Sequence, residues 1–306
     1  MKKKISFVVL LASLAVVTTW TTGLLSSCSS DIPDEKVSTD GSDATEDFQN
    51  LLSELDAYSA DFHQAHPSNP ASRGSFGRFF KSVKADVFGY SDFKDTYQTG
   101  VSISTSRKKW KEEKLAKDLE EVNEALDLSE KEEQEIEEEI ESLKDRYMNN
   151  PSDIGALHNA VILCTYLEES KTKIVMNTTQ EIAEETIEIM ESFGIDVSEI
   201  DSQVLAEKTD YFFENIYDED VEVMSERLIK LYPDKKDQII LLNKYMLNAE
   251  EFTDISDLEQ FTKGYMDIVD KGYTGPQKIK TDLDKNISIA PSSLKLWKNI
   301  SNIELK

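Results

Sequence analysis

The chain has 306 residues and is strongly acidic, with 60 Asp and Glu against 34 Lys and Arg and a formal net charge of −26 at pH 7. That balance excludes nucleic acid as a partner, because phosphate binding needs a concentrated positive footprint. Two cysteines and 11 glycines exclude paired-cysteine metal motifs and leave little material for glycine-rich phosphate cradles. The length allows one or two domains with a sizeable core.

The first element is a leader. Lys2, Lys3 and Lys4 precede the apolar run Ile5 to Val17, which has the length of a signal-peptide core. A membrane-spanning helix competes, since no charge falls between Ile5 and Ser30 and about 20 residues cross a bilayer. Thr18, Thr19, Thr21 and Thr22 dilute the apolar character where a span would need it, so a cleaved leader is the better fit. Leu25-Ser26-Ser27-Cys28 resembles the lipobox of bacterial lipoproteins, in which signal peptidase cuts before a cysteine whose thiol has taken up a diacylglyceryl group. The resemblance implies a signal peptide over residues 1–27 and a lipidated Cys28. Each buried methylene adds about 0.8 kcal/mol, so the two or three chains of a lipoprotein hold lastingly where one holds marginally.

Ser29 does not resemble the inner-membrane retention signal of enteric bacteria, whereas Asp31, Asp34 and Glu35 resemble the surface-export signal of Bacteroidota lipoproteins. The expected address is the outer membrane, with the body on its periplasmic or outer face. Loss of the three leader lysines leaves 31 basic and 60 acidic residues, a net charge of −29. Cys164 is then without a partner for an intramolecular disulfide, and its apolar setting AVILCTYL predicts a buried thiol.

Residues 28–43 are rich in Ser and Asp and poor in apolar residues, the composition of a flexible tether. Residues 44–150 read as a helical region with a basic segment and an acidic hairpin, and residues 151–306 as a C-terminal helical bundle. Ala44 to His66 carries Phe48, Leu51, Leu52, Leu55, Tyr58 and Phe62 at helical spacing. Pro67 to Gly77 is a turn-rich break. Val101-Ser-Ile-Ser-Thr is the best strand candidate, and it is short. Leu115 to Leu126 carries a stripe that predicts a helix, and Ser129 with Glu132 forms a capping box opening the next; together they predict an antiparallel hairpin. Capping boxes are also predicted at Thr178 with Glu181 and at Ser256 with Glu259. Pro151 is expected to open a helix through Leu167, Gly272 to end one, and Pro291 to bend or break the last. The fold class is all-α, a multi-helix bundle or irregular helical array.

Charge is unevenly spread along the chain. Arg73 to Lys117 has a net charge of +6 beside −26 for Asp118 to Lys306. One expectation is electrostatic pairing of this block with acidic helices, Glu130 to Glu141 above all. The sharper one is contact with anionic lipid phosphates or a partner through Arg73, Arg78, Lys81, Lys84, Arg107, Lys108 and Lys109, with Phe76, Phe79, Phe80 and Trp110 interleaved. The run SEKEEQEIEEEIESLKD reads as a solvated helical face, since it lacks a calcium-binding loop. His63 and His66 share a helical face, yet two ligands do not make a zinc site and the pair is not His-Glu-x-x-His. No metal, cofactor or catalytic residue is assigned.

Phe79-Phe80-Lys-Ser-Val-Lys-Ala-Asp-Val-Phe-Gly89, YMDIVDKG and ISIAPSSLKLW resemble helical lipoproteins of Bacteroidota, a resemblance that implies no activity. A small-residue helix follows the Lys-Ala-Asp pattern in such sequences; the bulkier Phe88 and Tyr90 predict looser packing here. The functional expectation is a lipid-anchored envelope protein, non-catalytic, that binds another envelope protein or a glycan. The alternatives are a small hydrophobic ligand held between helices and a metal-dependent envelope enzyme.

Overall fold

The computed structural model describes residues 43–67, 70–91, 97–117, 128–170 and 178–304, and for 43–45, 70–79, 91, 113–117, 169 and 301–304 the backbone alone. These residues form α1 (Asp43–Ala65), α2 (Pro70–Ser91), α3 (Gln98–Lys117), α4 (Glu130–Asn149), α5 (Ile154–Ser170), α6 (Thr179–Ser192), α7 (Ser202–Asn215), α8 (Val221–Leu231), α9 (Lys236–Ala249), α10 (Ile255–Gly272) and α11 (Gln277–Glu304). A single 3-10 turn, Pro233–Lys235, joins α8 to α9, and no strand occurs among the described residues. The array is all-α, as the hydrophobic periodicity predicts, and residues 41–306 form one compact unit. The predicted boundary at residue 150 falls in the α4–α5 turn, with one hydrophobic cluster drawing on both sides of it. Cys28 and the 118–127 half of the predicted hairpin lie outside the described residues; among the described residues, α4 packs on α5.

Local chemistry sets most helix ends. The boxes at Ser129 with Glu132 and at Thr178 with Glu181 both form, satisfying helix N–H groups that have no partner inside the helix. The third predicted box does not form. Asp254 caps α10 by accepting from Ser256 N–H at 2.8 Å and Asp257 N–H at 3.3 Å, so Ser256 sits inside the helix and Glu259 is left for other work. An Asp two residues upstream is itself a strong cap and wins the competition. Gly194 closes α6 at φ +77°, with Ile195 N–H donating to the Met190 carbonyl and Gly194 N–H to that of Glu191. This turn needs a left-handed residue, which glycine supplies without steric cost.

Three sequence expectations are corrected. The break after α1 is shorter than Pro67 to Gly77, because α2 starts at Pro70, where proline's fixed φ suits the first turn. Pro151 lies in the α4–α5 turn; α5 starts at Ile154, its first turn capped by Asp153, which accepts from Ala156 N–H at 3.0 Å. Val101 to Thr105 is helical, every residue at most 1% exposed. Its alternating apolar and small polar side chains are satisfied by helices on several sides: α3 packs on α2, α5, α6 and α7. The hydroxyls find partners, with Ser102 Oγ donating to the Asp86 carbonyl at 2.7 Å and Thr105 Oγ1 to that of Ala85 at 3.2 Å. Tertiary surroundings override the local β preference of such a segment.

Helix α11 is the second hub, packing on α2, α5, α9 and α10. It runs on through Pro291 as one helix of 28 residues. The missing N–H forfeits one bond to the Ile287 carbonyl, and burial of Ile287, Ile289, Ala290, Leu294, Leu296 and Trp297 holds the helix across the gap. Close packing is also found where bulk predicted otherwise. A Cβ at Gly89 would lie 2.6 Å from Thr105 Oγ1, so α2 and α3 approach closely at the glycine while Phe88 and Tyr90 fill the core beside it. At the other end of the chain order, α1 packs on α10. Tyr58 lies over Gly264, where a Cβ would meet its hydroxyl oxygen at 2.1 Å, and that hydroxyl donates to the Phe261 carbonyl at 3.2 Å.

Candidate functional site

Helix α4 packs on α5 and α5 on α11, which leaves an open cleft of about 320 Å³ between α4 and the second half of α11. Spacing along each helix explains which residues face it. On α4, Ile136, Glu139, Leu143 and Arg146 recur at intervals of three and four, one helical face. On α11, Ser292, Lys295, Leu296, Asn299 and Ile300 do the same, starting from Pro291. Asn159 and Leu163 of α5, each 5% exposed, form the floor, and Glu259 of α10 stands at one end. Gly155 makes the arrangement possible: a Cβ there would lie 2.5 Å from Ser292 Oγ and 3.1 Å from the Ser288 carbonyl.

The polar groups of the cleft differ in commitment. Arg146 donates to Asp153 at 2.8 Å and Glu135 is paired with Lys131 at 3.0 Å. Glu139, Glu259, Lys295 and Asn299 have no side-chain hydrogen bond or ion pair among the described residues. Asn159 donates to the Ser292 carbonyl at 2.8 Å and its Oδ1 lies 3.2 Å from His158 Nδ1; its second amide hydrogen is uncommitted.

Behind this floor lies a closed polar node. Asp86, His158 and Ser293 are each 0% exposed. Asp86 Oδ2 accepts from Ser293 Oγ and, at 3.5 Å, from Trp297 Nε1, with His158 Nε2 at 3.6 Å. Ser, His and Asp are thus brought together, but the Ser hydroxyl donates to the carboxylate and not to the imidazole. Nucleophilic catalysis needs the Ser–His contact and access to substrate, and this node has neither. Its chemistry is cross-linking of α2, α5 and α11.

The basic block is dispersed through the fold. Arg107 is buried, its guanidinium donating to the Ile182 carbonyl at 3.0 Å, to Thr186 Oγ1 at 2.9 Å and to Glu185. Lys84 is buried too, donating to the Glu219 carbonyl at 2.7 Å and paired with Glu250 at 3.0 Å. Lys81 pairs with Glu219. Lys108 bonds Asp210 at 2.7 Å and lies 5.1 Å from the Phe213 ring centre, and Lys109 stands 4.9 Å over Tyr217. The side chains of Arg73 and Arg78, like those of Phe76 and Phe79, lie outside the described residues. Lys81, Lys84, Arg107 and Lys108 thus pair with acids of α6 and α7, the α7–α8 turn and the end of α9. Burial works to raise the Asp210 carboxyl, but the hydrogen bonds from Lys108 and Thr179, with the Lys108 charge, hold it below the ordinary carboxylate range. Hydrogen bonding to Lys81 likewise lowers Glu219.

His63 and His66 part company at the end of α1. His66 Nδ1 lies 2.9 Å from Asp257 Oδ1 and its ring stacks on Phe62 at 4.3 Å, while His63 stacks on Phe252 at 4.7 Å. Among the described residues no group of three or more His, Cys, Asp or Glu could hold a metal ion. Cys164 is half-buried rather than buried. Burial, then Glu168, pushes its thiol up to about 11 against an opposing pull from Arg107. No described helix is long and apolar enough to cross a membrane.

No family model, curated protein or solved structure matches the chain. The α11 side of the cleft has a trace in the sequence. Ile287, Pro291 and Leu294 mark one apolar face, and Leu296 and Ile300 mark another; a helix apolar on two sides serves two neighbours or one neighbour and a ligand.

Proposed function

We propose that this chain is a lipid-anchored, non-catalytic binding module of the bacterial outer membrane that takes a small amphiphilic ligand into the α4–α5–α11 cleft. The observation that carries the reading is the cleft: about 320 Å³ in volume, with apolar side chains from three helices mixed among polar ones, of which Glu139, Glu259, Lys295 and Asn299 have no partner among the described residues. Its volume falls at the small end of the range of ligand pockets, about 300–1,000 Å³. Support for the anchor comes from the Leu25-Ser26-Ser27-Cys28 sequence and the apolar run before it.

The cleft is tested by saturation-transfer NMR on the lipidated protein in phospholipid nanodiscs, with hexyl glucoside as probe and empty nanodiscs as blank. Saturable binding is expected, weakened at least about tenfold by Asn299→Trp, an exposed position whose new side chain would occupy the cleft. Equal binding by both proteins overturns the reading, as does failure of the cleft to bind either this probe or the tripeptide Leu-Leu-Ala. For the anchor, Cys28→Ser should abolish incorporation of labelled palmitate and release the protein from the membrane fraction.

A further inference from the structure

We infer that the ligand of this cleft is a short apolar peptide with both termini free. The inference rests on the cleft reading and adds the ligand's chemistry. Around the apolar side chains of Ile136, Leu143 and Leu296 stand one uncommitted ammonium, Lys295, and two uncommitted carboxylates, Glu139 and Glu259. A fatty acid would satisfy Lys295 but set its carboxylate among like charges, inside a protein whose net charge is −26. An alkyl ammonium would satisfy the carboxylates and be opposed by Lys295. A neutral amphiphile uses none of the three, and a two-chain lipid far exceeds the volume.

A peptide zwitterion uses all of them. Its carboxylate pairs with Lys295, its ammonium with Glu139 or Glu259, and its apolar side chains cover the walls. The peptide groups between need donors and acceptors, which the Asn159 amide, the Ser292 hydroxyl and Asn299 supply. A volume of about 320 Å³ suits a tripeptide or tetrapeptide, at the small end of known pockets. Asn159 is the one polar group on the floor, and its Oδ1 faces His158 while one amide hydrogen is held by the Ser292 carbonyl. The remaining hydrogen is therefore fixed in direction and selects a carbonyl oxygen.

The test is calorimetry on the lipidated protein in nanodiscs with Leu-Leu-Ala, its N-acetyl form and its C-terminal amide. Removing either terminal charge should weaken binding about fivefold, the scale of a partly exposed ion pair. Lys295→Gln should erase the penalty for the amide and leave that for acetylation; Glu139→Gln with Glu259→Gln should do the reverse. All three positions lie at the rim of the cleft, so the variants fold. Indifference to both caps overturns the inference. Tolerance of acetylation alone also overturns it, since the occupant would then be the C-terminal tail of a protein. If hexyl glucoside binds and the tripeptides do not, the inference falls while the cleft reading stands; if neither binds, both fall.

Discussion

Two polar regions back onto each other across α5 and α11, and they are built on opposite terms. Around Asp86 every member is buried and Oδ2 gathers Ser293, Trp297 and His158, while Asp86 Oδ1 has no hydrogen bond among the described residues. In the cleft, Lys295, Glu139, Glu259 and Asn299 have no partner among the described residues. The boundary is one peptide bond wide, for Ser292 faces the cleft and Ser293 the node. Polar residues closed in the interior hold helices together because an unpaired buried group is costly. Polar residues left uncommitted at an opening contribute little to stability and are available to a ligand.

The contrast is broken most directly at its centre. Asp86→Ala leaves the hydroxyl of Ser293 and the indole N–H of Trp297 without their acceptor, and the expected loss is about 1–3 kcal/mol for each orphaned donor, read from the midpoint of urea unfolding. Cys164 on α5 sharpens the same point by reactivity. With its thiol pushed up to about 11, modification at pH 8 should run at least about tenfold slower than for an unperturbed cysteine, and Asp86→Ala should lift that rate if opening of the node frees α5. Gly155→Ala acts between the two regions. Its Cβ would press on Ser292 and on the Ser288 carbonyl, an overpacking worth about 1–3 kcal/mol, and it should reduce hexyl glucoside binding through displacement of α11.

Smaller effects lie at the surface. Asp210 has its carboxyl held below the usual range, so its pairing with Lys108 contributes stability above the unfolded value of about 3.9 and loses it as pH falls through the folded one. Lys108→Met should flatten the fall of stability below about pH 4 and leave the node untouched. Lys295→Gln should change stability by less than about 0.5 kcal/mol. A loss comparable to that of Asp86→Ala would show that the cleft is part of the scaffold after all.

What the sequence made legible follows the same division. Helices whose apolar residues repeat on one face, such as α4 and α10, are visible in spacing alone, and so are caps where Ser or Thr stands three residues before Glu. Helix α3 was harder. Its Val-Ser-Ile-Ser-Thr stretch reads as a strand by its alternation and β-branched residues, and it is buried as helix because its hydroxyls are satisfied by Ala85 and Asp86 in α2, a contact that spacing cannot show. Arg107 and Lys84 count as basic surface in a charge tally, yet their partners, Glu185 and Glu250, are remote in sequence. Asp86 left one trace, as a lone acid in the apolar run SVKADVFG. The cleft left another, the second apolar face of α11. Joining them takes the positions of three helices at once.

The seat of Tyr58 over Gly264 has a mechanical corollary. Any tension on the N-terminal end of the chain is delivered first to α1, and α1 is packed on α10. Load is then borne as shear along that joint, where an aromatic ring rests in a notch left by a missing methyl group and Leu51 rests against Gly272 in the same manner. Sliding would have to lift both side chains out together, so α1 resists being drawn off α10 without any covalent brace.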